Sequence, residues 1–149
     1  MGTAGSLSLF HRETHRPIIV INGDILTKLR FDQLLNFHEK QKACATVAVT
    51  AYDFKVEYGV VKIDKDTLVG FDEKPVFENF INAGIYVVNP EILNTIPNKT
   101  DYDMNQLLEE MLRQEMKVCA FPIREYWIDI GKVKDFNQAK LDYDSVFLS

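Results

Sequence analysis

The chain has 149 residues, of which 46% are hydrophobic and 26% charged, with 7 Gly and 5 Pro; these values predict one folded domain and exclude collagen, low-complexity linkers and intrinsic disorder. Seventeen basic against 22 acidic side chains leave a formal charge of −5, and no Lys/Arg run is present to neutralise a phosphate backbone, so no nucleic acid polymer is expected as a partner. Apolar runs such as Ile18-Ile19-Val20-Ile21 are far shorter than the roughly 20 residues of a membrane helix, and no signal-peptide core opens the chain, so a soluble, cytoplasmic protein with no membrane contact is expected.

Residues 17–21 form a β-branched run closed by Asn22-Gly23, the pattern of a buried strand followed by a turn. Phe31, Leu34, Leu35 and Phe37 then recur close to helical spacing, with polar residues on the other face. Residues 43–49 return to a continuous β-rich run. A β-α-β unit with parallel strands and a right-handed crossover is therefore predicted within the first fifty residues. Three further strand-like runs, 58–63, 67–71 and 80–88, are separated by short turn signals, which predicts antiparallel pairing. Asp103 is an N-cap candidate for a helix whose apolar residues fall at 104, 107, 108, 111 and 112. Residues 118–123 and 126–130 read as strands, and 133–143 as a closing helix with Phe136, Ala139, Lys140 and Tyr143 along one side. The fold class is α/β, a sheet covered by helices, with no repeat and no linker. Cys44 and Cys119 lie in apolar stretches without a partner at ligand spacing, so both are expected as buried core thiols.

Asp24 directly follows a predicted buried strand, and ligands of open α/β sheets bind beyond the carboxyl ends of strands. Taken alone, Asn22-Gly23-Asp24 reads first as a tight turn. Asp129 repeats the pattern at the end of Trp127-Ile128-Asp129-Ile130-Gly131, just before a helix. Two such carboxylates suit Mg²⁺, which takes one or two protein carboxylates and completes its shell with water and phosphate oxygens. Gly2-Thr3-Ala4-Gly5-Ser6 is a small-residue turn that lets a flat ligand or phosphate approach the backbone, although no Gly-Lys-Ser/Thr follows as in a P-loop. Glu73-Lys74-Pro75 sets an acceptor and a cation at a strand end, and by itself is also an ordinary charged turn. His11 and His15 flank Glu13 in a pattern unlike a zinc-protease helix and are given no role. No nucleophile elbow or Cys/His signature supports covalent catalysis.

Taken in order, Gly2-Thr3-Ala4-Gly5-Ser6-Leu7, Val20-Ile21-Asn22-Gly23-Asp24, Tyr58-Gly59-Val60-Val61, Glu73-Lys74-Pro75, Asn82-Ala83-Gly84-Ile85-Tyr86 and Trp127-Ile128-Asp129-Ile130-Gly131 resemble the sugar-1-phosphate nucleotidyltransferases. The likeness extends over nearly the whole chain and is greatest to the mannose-1-phosphate guanylyltransferase-like branch. It implies a Rossmann-like, mixed but mainly parallel sheet flanked by helices, with a small antiparallel sugar-binding part. It also implies a reaction in which a nucleoside triphosphate, GTP in that branch, and a sugar 1-phosphate give a nucleotide sugar and pyrophosphate with Mg²⁺. By the same resemblance Asp24 and Asp129 are metal ligands and Lys74 is catalytic, neutralising the sugar phosphate. Gly2, Thr3, Ala4, Gly5 and Asp24 bind the nucleotide; Gly59, Glu73, Lys74, Asn82 and Gly84 bind the sugar.

The family's Gly-x-Gly-x-Arg loop and following Pro-Lys, which cradle the triphosphate, do not occur in this sequence. On that pattern residues 1–149 correspond to the C-terminal two-thirds of a nucleotidyltransferase domain that is incomplete at its N-terminus, and this chain alone is expected to be nearly inactive, since each lost charge-assisted contact is worth about 1.5–3 kcal/mol. A non-catalytic remnant that binds a sugar phosphate or a partner subunit is the alternative. Loss of neighbours beside residues 17–21 would leave an apolar edge, and a homo-oligomer is expected.

Overall fold

A computed structural model describes residues 3–5, 7, 15–96 and 101–148; Gly2 and His11 lie outside them. The order is β1 (Ile18–Ile21), β2 (Ile25–Thr27), α1 (Phe31–Gln41), β3 (Ala45–Lys55), β4 (Val60–Asp64), β5 (Thr67–Asp72), β6 (Val76–Val88), a 3₁₀ helix (Pro90–Thr95), α2 (Met104–Arg113), β7 (Val118–Pro122), β8 (Trp127–Asp129) and α3 (Val133–Phe147). Four strands form the central sheet in the order β1-β6-β3-β7. β3 and β7 pair in parallel, whereas β6 is antiparallel to both β1 and β3. The predicted β-α-β unit thus has its two strands running the same way, but they are not neighbours, because β6 lies between them. The fold class is mixed α/β with a sheet flanked by helices.

The central position of β6 explains its sequence. Residues 83–88 are buried throughout, as a strand covered on both faces must be. Tyr86 and Val88 pack with Met104, Leu107 and Met111 of α2 on one side of the sheet. Ile85 and Val87 pack with Leu34 of α1 on the other. Each such fully buried aliphatic side chain contributes about 1.5–3 kcal/mol. α2 starts where Asp103 predicts it should: the Asp103 carboxylate accepts from the Gln106 N–H at 2.8 Å, and the Gln106 side chain accepts from the Asp103 N–H at 3.0 Å, a reciprocal capping box.

His38 was not read as core, yet it is buried between α1 and the sheet, with Nδ1 2.8 Å from Thr46 Oγ1 and Nε2 3.0 Å from Asn89 Oδ1. Because Asn89 Nδ2 donates to the Ala43 carbonyl, its Oδ1 faces the ring as an acceptor, and both imidazole nitrogens are satisfied. Cys44 and Cys119, expected in the core, are free and only half-buried. β3 and β6 continue past the core as a two-stranded arm whose residues 51–55 and 76–80 are exposed. β4 and β5 form a separate antiparallel hairpin. The closing helix runs four residues beyond its predicted end, and Phe147 packs edge-on against Tyr126.

Candidate functional site

β2 was not predicted, and it is the element that assembles the site. It pairs with β8 so that Ile25 lies opposite Asp129, and the Ile130 N–H donates to the Asp24 carbonyl at 2.8 Å. Asp129 Oδ1 accepts from the Gly131 N–H at 2.8 Å. A Cβ on Gly131 would stand 3.0 Å from Asp129 Oδ1 and 3.2 Å from Asp24 Oδ2. The two carboxylates therefore converge on the space that glycine leaves open. Both residues are exposed, and among the described residues no third His, Cys, Asp or Glu joins them to make a larger cluster. Two hard oxygen ligands open to solvent fit Mg²⁺, which keeps several shell positions for water and phosphate.

Asn22 ties the turn that carries Asp24 to β6. Its N–H donates to the Gly84 carbonyl at 2.9 Å, and its side chain lies against Gly84, where a Cβ would come within 2.7 Å of Asn22 Nδ2. Gly84 also has φ +70°, a left-handed conformation that costs about 1–2 kcal/mol for a residue with a Cβ. Asn82 completes this knot: Oδ1 accepts from the Gly84 N–H at 2.9 Å, and Nδ2 donates to Tyr86 Oη at 2.9 Å and Asn105 Oδ1 at 3.0 Å. Both amide protons of Asn82 are thus engaged within the protein, leaving one oxygen lone pair for a ligand. Burial raises the Tyr86 phenol above its ordinary range, against the lowering effect of the Asn82 bond.

The N-terminal turn docks on the start of α2. The Ala4 and Gly5 N–H groups donate to the Tyr102 carbonyl at 3.0 and 2.8 Å, and the Met104 N–H donates to Thr3 Oγ1 at 3.2 Å. Ala4 and Gly5 are buried, so Thr3 is the exposed member of the described turn. At the other end of the arm, a Cβ on Gly59 would stand 3.2 Å from Glu73 Oε2, and Lys74, with φ +45°, forms the turn between β5 and β6. Gly59, Glu73 and Lys74 make a second group beyond the last β3–β6 rung, Lys55 opposite Val76. Beside Asp129, a cavity of about 260 Å³ is lined by Tyr52, Ile81, Trp127, Ile128, Asp129, Lys132 and Asp135. The Trp127 indole donates to the Ala83 carbonyl at 2.9 Å, which holds its ring in place. Of the residues not singled out from sequence, Gly131 stood within a quoted motif, whereas Tyr52 and Lys132 carried no local signal.

The sequence pattern of the family described as "Nucleotidyl transferase" matches residues 2–146. The chain belongs to the nucleotidyl transferase family. Among the family's relatives, the chain is 34% identical to a mannose-1-phosphate guanyltransferase of Debaryomyces hansenii over 144 residues, which is 91% of this chain and 40% of that protein. It is 35% identical to the mannose-1-phosphate guanylyltransferase catalytic subunit beta of Drosophila melanogaster over 142 residues, 91% of this chain and 38% of that protein. The chain thus spans about two-fifths of the length of the curated relatives it matches. Among solved structures, HddC from Yersinia pseudotuberculosis superposes with a TM-score of 0.66 at 24% identity, over 95% of this chain and 62% of that one, a likeness of fold.

Proposed function

We propose that this chain carries the metal-binding and sugar-phosphate parts of a site for nucleotidyl transfer to a sugar 1-phosphate, with GTP and a mannose-like sugar as the substrates. The relatives' names support the substrates; the convergence of Asp24 and Asp129 over Gly131 is the observation that carries the chemistry. A phosphate oxygen of the sugar 1-phosphate attacks the α-phosphorus of the triphosphate in line, a new O–P bond forms, and the bond to the bridging oxygen breaks, so that pyrophosphate leaves with the electron pair. Such chemistry depends mainly on positioning and charge neutralisation. Asp24 and Asp129 would hold Mg²⁺, which supplies neutralisation of the phosphate oxygens when bound. Glu73 accepts from sugar hydroxyls, Lys74 opposes the phosphate charge, and Gly59 leaves the space that the Glu73 carboxylate occupies.

The 149 residues contain no Gly-x-Gly-x-Arg run, and this favours a second reading, in which the chain by itself binds a sugar phosphate without turning it over. Pyrophosphate release from GTP and α-D-mannose 1-phosphate with Mg²⁺ tests both. Turnover is expected when a triphosphate-binding segment is supplied, and Asp24→Asn or Asp129→Asn should then lower it about a hundredfold or more. Wild-type turnover in either variant rejects the metal assignment. Self-association belongs to the same proposal: among the described residues β1 pairs with β6 alone, and Ile21 on it is exposed, an open edge able to template another strand. Sedimentation at low concentration should show a dimer or larger species, and a clean monomer rejects it.

A further inference from the structure

We infer that Trp127 is a positioning residue for the acid pair: through its bond to the Ala83 carbonyl, the indole N–H sets the strand that presents Asp129 to Asp24. This rests on the functional reading above, in which the two carboxylates hold a divalent cation. β2 and β8 are three residues each and pair with one another, apart from the four-stranded sheet. Such a two-stranded ladder is marginal by itself in water, so its placement depends on what ties it to the main sheet. On each side of the ladder a tie leads to β6. Asn22, two residues before Asp24, donates its backbone N–H to the Gly84 carbonyl at 2.9 Å. Trp127, two residues before Asp129, donates its indole N–H to the adjacent Ala83 carbonyl, also at 2.9 Å. Successive carbonyls of one strand thus hold the two segments that carry the acids.

β6 offers those carbonyls because it is irregular there. Its register with β3 passes from Val47 opposite Tyr86 to Val49 opposite Asn82, and its pairing with β1 ends at Ile85. Ala83 and Gly84 therefore fall in a bulge, which takes residues out of the regular ladder and bends the strand. Ala83 is fully buried, so its carbonyl needs a donor from within the protein. Trp127 brings one on a ring that packs against the cluster of Leu29, Leu34 and Ile85; a phenylalanine would fill the space without the donor. Side chains two apart in a strand leave it on the same side, so Trp127 and Asp129 project from one face of β8, and both line the cavity beside Asp129. A ring fixed at one end of this three-residue strand fixes the direction in which the carboxylate leaves the other end.

The sequence contains one Trp, so tryptophan fluorescence reports on this residue alone. Mn²⁺, a paramagnetic quencher, should quench it on titration into the whole chain; Mn²⁺ that binds without quenching lies elsewhere and overturns the inference. Mn²⁺ affinity, followed by electron paramagnetic resonance, then tests the bond itself. Trp127→Phe should weaken it about tenfold, the scale of disturbing groups that orient metal ligands. Replacement of Trp127 by benzothienylalanine, which keeps the two fused rings and puts sulfur in place of the N–H, should weaken it as much, with the far-ultraviolet circular dichroism spectrum unchanged. Wild-type affinity in the benzothienylalanine protein shows that the N–H does not position Asp129, and overturns the inference while leaving the acid pair standing. A loss of affinity that comes with a loss of the spectrum shows collapse of the fold and overturns it too. A wild-type chain that binds no Mn²⁺ removes both the role of Trp127 and the metal reading beneath it.

Discussion

The two ends of β6 obey different rules. Residues 83–88 are buried between α1 and α2, while residues 76–80 of the same strand are exposed on the arm. Both ends are rich in apolar side chains, so hydrophobicity alone does not separate them; what separates them is that helices cover one end only. The candidate site lies at the changeover, where Asn82 and Gly84 are tied to Asn22 and through it to Asp24. The packed half anchors the turn that leads into Asp24, through the Asn22 N–H bond to the Gly84 carbonyl, and the other half is open to solvent.

The buried half should show the largest response to truncation. Ile85→Ala removes a fully buried side chain between α1 and the sheet and should cost about 2–5 kcal/mol in denaturant unfolding; a loss below about 1 kcal/mol would erase the contrast between the two halves. At the changeover, Gly131→Ala puts a methyl group against both carboxylates. It should lower Mn²⁺ affinity about tenfold, the scale of disturbing groups that orient metal ligands, with stability nearly unchanged. Unaltered Mn²⁺ binding there would show that the acid pair does not act on a metal through this space. On the arm, Phe77→Ala removes an exposed ring and should change stability by no more than about 0.5 kcal/mol. A loss as large as that of Ile85→Ala would mean that something covers the arm in solution.

Much of the fold could be read locally. The capping box at Asp103, the apolar spacing of α2 and the continuous burial of residues 83–88 each follow from side chains a few positions apart, which is the range over which helical and strand periodicity is written. The site was legible in part: Asp24 and Asp129 stood out as acids at strand ends, and Gly59, Glu73 and Lys74 as members of ordered motifs. Other features were hidden. The three residues of β2 are too few to show alternation, and His38 resembles any polar residue on a helix.

The sequence by itself determined most of the segments that become helix or strand, β2 excepted, and which family the order of motifs resembles, because those depend on neighbours along the chain. Only the tertiary structure decided that β6 enters between β1 and β3, that β2 meets β8 so that two distant carboxylates face one space, and that the amide protons of Asn82 are spent internally. The physical reason is that strand pairing and register are chosen by long-range packing of many faces at once, and no local pattern of side chains names its partner.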